Sequence, residues 1–194
     1  MKKLSLKQKL MALSAVVIVA ALSAYGSIAY FTAEDTARNV ITAGNVKIEL
    51  QEKMLTPEGE KTVPFEDPLD VMPGCEVSKI VTVKNTGGQP AWVRVSVEKA
   101  VVLAEGVEGE VDLSLVSFNL NTDHWTEKDG FYYYTAELAP GQTTEPLFTE
   151  VSFEKTMSNL YQDGKAILTI NAYATQTAHN GSTVFEAAGW PEMN

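Results

Sequence analysis

The chain is short of the residues on which catalysis and covalent cross-linking depend. It has a single cysteine, Cys75, among 194 residues. No disulfide can form within one molecule, so packing alone has to hold the fold. Cys75 reads as a small apolar side chain, with a reactive or cross-linking thiol as the alternative. Histidine is almost as scarce. His124 and His179 stand far apart, and neither lies in an H-E-x-x-H pattern or another clustered set of zinc ligands. Each reads as a structural histidine. No glycine-rich phosphate loop and no G-x-S-x-G elbow occur. Spacing alone does not exclude a carboxylate pair of glycosidase type, since such pairs meet only in the fold, but no feature points to one. The expectation is a non-enzymatic protein with no catalytic residue, no cofactor and no metal centre. Glu66, Asp67 and Asp70 crowd one proline-rich loop. They lack EF-hand spacing and read as a solvated acidic cluster, with calcium as the alternative.

Positive charge is also sparse after the first residues. Lys2, Lys3, Lys7 and Lys9 precede an uncharged stretch of 24 residues, Leu10 to Ala33, centred on LMALSAVVIVAALSA. Ser27-Ile28-Ala29 then puts small residues three and one before a cut. This is the layout of a secretory signal, and it predicts a cleavable N-terminal signal helix over 1–29 with the cut between Ala29 and Tyr30. The alternative is an uncleaved anchor, because about 20 apolar residues suffice to span a bilayer. Both readings leave the remainder outside the cytoplasm. Removing four of the 15 basic residues leaves 11 against 25 acidic ones, a net charge near −14 over 165 residues. Such a surface repels nucleic acid and anionic lipid. Contact with a membrane is expected only through the signal segment.

What the rest of the chain has is period-two alternation. Val46, Ile48 and Leu50 alternate with Lys47 and Glu49. A loop is expected from about Lys53 to Pro73. Val77, Val81 and Val83 share a face, and Asn85-Thr86-Gly87-Gly88 is a turn signal. Val93, Val95 and Val97 alternate with Trp92, Arg94 and Ser96, predicting a strand with one buried face. Val111–Leu115 is ambiguous between strand and helix edge. Asp129-Gly130 between two β-prone runs predicts a tight hairpin, and Pro140-Gly141 a further turn. Val151–Phe153 reads as a short strand, KTMSNLYQDG as one helical turn, and Ala166–Thr175 as a long strand. The tail EAAGWPEMN reads as a short helix or strand. Phe131 to Tyr134 must divide between two faces. One pair is expected in the core, and the other, with Trp125, in an exposed aromatic ladder. These short strands predict an all-β fold, an antiparallel β-sandwich of jelly-roll type. The expected division is a signal peptide (1–29), an N-terminal segment (30–40) and one sandwich domain (41–194).

Several segments together resemble the TasA/camelysin family of exported proteins. They are the junction Gly26-Ser27-Ile28-Ala29-Tyr30-Phe31-Thr32, the run Ile41-Thr42-Ala43-Gly44-Asn45-Val46, MPGCEVSKIVTVKNTGGQPAWVRVSV, DGFYYYTAELAPGQTTEPLFTEV and ILTINAYATQ. They occur in family order and cover most of the chain. The resemblance implies a jelly-roll fold, leader removal by a SipW-type signal peptidase, and secretion to the extracellular matrix or cell surface. It further implies self-association into biofilm-matrix fibres, alongside matrix partner proteins. In fibre-forming members the freed N-terminal segment of one subunit adds as a strand to the next, a form of β-augmentation. The corresponding segment here is Tyr30 to Val40, with apolar members Tyr30, Phe31, Ala33, Ala37 and Val40. They do not alternate cleanly, and a flexible leader to the first strand is the alternative reading. Ile41 to Val46 would open the first strand. The camelysin side of the family also raises a secreted or surface metalloprotease as an alternative, and a monomeric adhesin is a third reading.

Mass spectrometry of the exported protein is expected to find Tyr30 as the first residue; a chain still beginning at Met1 would replace the cleaved leader with an anchor.

Overall fold

The computed structural model describes residues 31–34, 38–42, 46–67 and 71–191. The expected signal segment 1–29, the expected cut at Ala29–Tyr30, and Ala37 and Asp70 lie outside these residues. The described chain is all-β, with twelve strands and two single 3₁₀ turns. The strands are β1 (Phe31–Glu34), β2 (Arg38–Thr42), β3 (Ile48–Leu55), β4 (Thr62–Pro64), β5 (Glu76–Ser78) and β6 (Ile80–Asn85). They continue with β7 (Ala91–Val102), β8 (Val116–Phe118), β9 (Trp125–Lys128), β10 (Phe131–Tyr134), β11 (Glu150–Phe153) and β12 (Gly164–Gln176). Among these residues no helix is long and apolar enough to cross a membrane.

One layer is a six-stranded sheet built on β12. On one side β12 pairs antiparallel with β7, from Lys165–Val102 to Gln176–Ala91, and β10 and β9 follow. On the other side β12 carries β1 and β2. Two three-stranded sheets, β4-β3-β6 and β5-β11-β8, make up the opposing layer. Backbone hydrogen bonds join them along residues 142–149, where Val81 N donates to Phe148 O (3.1 Å), Leu147 N to Val81 O (2.8 Å) and Thr144 N to Val83 O (2.9 Å). The layers close over one apolar cluster. Leu50, Val81, Val83, Val93, Val95, Leu147, Phe148, Leu168, Ile170 and Ala172 are all buried in it. The alternating positions of the four most regular strands thus converge, as period-two patterning requires.

The structure alters several expectations drawn from the sequence. The loop expected from Lys53 is shorter, because β3 runs on to Leu55 and turns back as β4. Val111–Leu115 resolves into a 3₁₀ turn at Leu113–Leu115, capped by the Asp112 carboxylate (2.9 Å from Ser114 N), and leads into β8. KTMSNLYQDG contains a 3₁₀ turn at Asn159–Tyr161. The described tail residues form neither helix nor strand. The boundary set between residues 40 and 41 falls inside β2. Of the run Ile41–Val46, Ile41 and Thr42 close β2, Val46 stands two residues before β3 begins at Ile48, and residues 43–45 lie outside the described residues. The Asp129-Gly130 hairpin forms as expected, and both residues take positive φ (52° and 78°), the requirement of a type I′ turn.

The largest departure concerns the second face of the six-stranded sheet. Trp92, Phe131, Tyr133 and Tyr173 point away from the main core, yet all are buried. The tail folds back over them, adding Val184, Ala187 and Trp190. Trp125, expected in an exposed ladder, is only 1% exposed and faces the main core with Tyr134. Both aromatic pairs are therefore covered, one by the opposing layer and one by the tail.

Two buried polar features anchor the β4-β3-β6 sheet, an ion pair within it and an asparagine that reaches the other layer. Lys79 interrupts the run between β5 and β6, and its ammonium meets the Glu52 carboxylate with both side chains almost fully buried. The Phe65 ring lies 3.5 Å from the same ammonium. Asn85, fully buried, ties the NTGG turn to both layers. Its amide donates to Gln89 O (2.8 Å) and Leu138 O (2.9 Å), and its Oδ1 accepts from Gly87 N (2.9 Å). Gly87 itself has no room for a side chain, since a Cβ there would come within 2.8 Å of Lys47 N.

Asn85→Ala is expected to destabilise the fold by about 2 kcal/mol, the order of one buried carbonyl left without its partner. Leu138 O and Gly87 N retain second partners in Ala91 N and Lys47 O, which limits the loss. The measurement is the urea midpoint, which should fall at unchanged slope.

Candidate functional site: the N-terminal edge of the six-stranded sheet

The described residues of the segment singled out for strand donation lie along the outer edge of β12. β1 pairs parallel with it, Phe31 opposite Gly164 and Ala33 opposite Ala166. β2 does the same, Arg38 opposite Ile170, Val40 opposite Ala172 and Thr42 opposite Ala174. The other edge of β12 is taken by β7. The chain reaches this edge in extended form, and parallel pairing is open to it because the whole sandwich intervenes between the two strands in sequence.

The register explains why the apolar residues of this segment do not alternate. From Glu34 to Arg38 the chain advances four residues, while their partners Ile167 and Ile170 are three apart. The pairing therefore slips by one between β1 and β2, and a slip of one exchanges the faces. Odd positions Phe31 and Ala33 and even position Val40 consequently stand opposite Gly164, Ala166 and Ala172, all on the core-facing parity of β12. Ile41 stands opposite Tyr173, on the other face, and packs against the outer aromatic cluster. Val40 remains 41% exposed. Tyr30 and Ala37 lie outside the described residues.

The remaining candidates occupy separate places. His124 sits on the loop before β9, with Nδ1 3.8 Å from the Glu145 carboxylate. His179 takes a left-handed conformation in the tail (φ 56°). Among the described residues, no group of three or more His, Cys, Asp or Glu side chains could hold a metal ion. Glu66 and Asp67 are exposed. Cys75 is half-buried against the edge of the main core, its carbonyl bonded to Phe153 N (3.0 Å).

One polar cluster escaped the sequence reading. The Tyr134 hydroxyl donates to the Glu145 carboxylate, and the Trp125 indole donates to Glu145 O (3.0 Å). This fastens the 142–148 run to the β9–β10 hairpin. Burial, followed by the bond to Glu145, pushes the Tyr134 hydroxyl up from the ordinary 10.0 to about 12. The same bond holds the Glu145 carboxyl below its usual range. The neutral phenol is the form that the fold favours, so its contribution is whole below about pH 10 and disappears as pH rises toward 12. Glu145 runs the other way, its contribution being lost only as pH falls through its lowered value. Its half-exposed carboxylate keeps that part small.

Stability of the native chain is therefore expected to fall more steeply between pH 10 and 12 than that of Tyr134→Phe, as measured by denaturant midpoints across that range. Parallel curves would remove the hydroxyl from the account. Compared with known proteins, the chain matches no family model, no curated protein and no solved structure.

Proposed function

We propose that this chain is an exported structural protein of the extracellular matrix or cell surface, which assembles by giving its N-terminal strand to a neighbouring copy. The carrying observation is the pairing of Phe31–Glu34 and Arg38–Thr42 with the edge of β12. These residues have the backbone conformation that strand donation needs, and β12 offers an edge that accepts them. Affinity in such an arrangement comes from main-chain hydrogen bonds, while alternate side chains set the register. The two-layer antiparallel build supports a jelly-roll β-sandwich. The Lys-rich start, the long uncharged stretch and Ser27-Ile28-Ala29 support export with removal of residues 1–29 by a SipW-type signal peptidase. The surplus of acidic residues supports a protein that stays dispersed until it assembles.

Negative-stain electron microscopy of the protein beginning at Tyr30 is expected to reveal filaments. The form retaining residues 1–29 should give none, and neither should a chain from which residues 30–42 are deleted. Filaments that persist after the deletion would exclude the N-terminal strand as the connector. A chain from Tyr30 that remains monomeric at high concentration, with saturable ligand binding, would favour an adhesin.

A further inference from the structure

The β12 edge has room for one strand. Its opposite edge is occupied along its length by β7, so each outward-pointing N–H and C=O on the outer edge can serve the molecule's own N-terminal segment or a neighbour's, but not both. In the single molecule its own segment occupies the edge. A tethered strand competes at an effective concentration on the order of millimolar, far above the concentration of other copies in a dilute protein solution. Release of the tethered strand is then the controlling step in any exchange.

The grip on that strand extends beyond its backbone bonds. Ile41 stands opposite Tyr173 and packs on the outer aromatic cluster, to which Ala187 and Trp190 of the tail also belong. Arg94 links the parts of this cluster. Its guanidinium lies 3.9 Å from the Phe131 ring centroid, 4.6 Å from Trp190 and 5.4 Å from Tyr173. The guanidinium thus stacks between a strand aromatic and a tail aromatic, where its weak hydration favours it. Asn180 secures the other end of the tail. Its amide donates to Gln176 O (2.9 Å) and Ala188 O (3.0 Å), its Oδ1 accepts from Ala188 N (2.8 Å), and its carbonyl accepts from the Trp92 indole (3.2 Å). The two ends of the described chain thus meet on one apolar patch.

We infer that β1, β2 and the tail 177–191 form a single latch: β1 and β2 cap their own β12 edge, and the tail, through Trp190 and the cluster shared with Ile41, controls how readily that edge opens to the same two strands of a second copy. The latch rests on the strand-donation reading but makes a claim about the monomer that can be measured without filaments.

Hydrogen exchange on the chain beginning at Tyr30, kept dilute, tests this claim. Trp190→Ala is expected to speed exchange of the β2 amides by about tenfold, while the amides of β3 and β6 keep their protection and so report an intact fold. Unchanged β2 exchange would overturn the latch. A second variant, Val40→Cys with Ala172→Cys in a Cys75→Ala background, ties the segment to its own β12. When oxidised it should form no filaments, and when reduced it should form them. Filaments from the oxidised form at the reduced rate would also overturn the latch. Filaments absent from every form, the reduced one included, would instead remove the strand-donation reading, leaving exchange alone to decide whether the tail holds β2.

Discussion

The structure depends on β12 being enclosed on four sides. Its backbone pairs with β7 along one edge and with β1 and β2 along the other. Ala166, Leu168, Ile170 and Ala172 fill the main core, and Tyr173 and Thr175 are buried beneath the tail. A strand so placed has to be apolar or internally satisfied at almost every position. Asn171 meets the condition through its bond to Ser96, directly across the β7 ladder (3.3 Å). The enclosure also sets the arrangement of everything else. It fixes where the hairpin β9–β10 can attach, leaves the smaller sheets the single remaining apolar face, and provides the one edge on which the N-terminal segment lies.

Much of this was legible in the residues. The valine and alanine alternation of β6, β7 and β12 gave the correct faces, and Asp129-Gly130 gave the hairpin. The second apolar layer was not legible, because alternation reports which residues share a face and says nothing about what covers the other one. Trp92, Arg94, Tyr133 and Tyr173 are amphipathic side chains, suited to an open surface or to a lid with a few polar contacts. Only the returning tail decides between these. The buried ion pair did leave a trace. Lys79 has the same parity as Val77, Val81 and Val83, and Glu52 the same parity as Ile48 and Leu50. Opposite charges at core-facing positions of neighbouring strands are the pattern of a buried pair, since either one alone would carry a prohibitive desolvation cost.

The N-terminal segment shows a different limit of pattern reading. Its apolar residues change parity between Ala33 and Val40, which suggests a poor strand when read along a single line. The structure divides the segment into two short strands one residue out of step, and the parity change then serves the pairing. The same division bears on the surplus of negative charge. Repulsion between acidic copies is damped beyond roughly 8 Å at physiological ionic strength. In the assembly proposed above, close contact would therefore be won locally, by backbone pairing along a single edge, while the wider surface would keep molecules apart.

The parallel direction of β1 and β2 also gives the molecule a front and a back. Residue 31 lies beside Gly164, and the chain runs forward along β12 toward Gln176, about 40 Å away at the usual strand rise. The body of a copy that donates this strand follows residue 42 and would join at the Ala174 end, whereas a retained membrane anchor ahead of residue 31 would pull from the Gly164 end. The NTGG turn, the Asn180 fastening and His179 would then face outward at the far pole. For a chain held at a cell surface or in a filament, as proposed, the direction of one short edge strand would set its orientation.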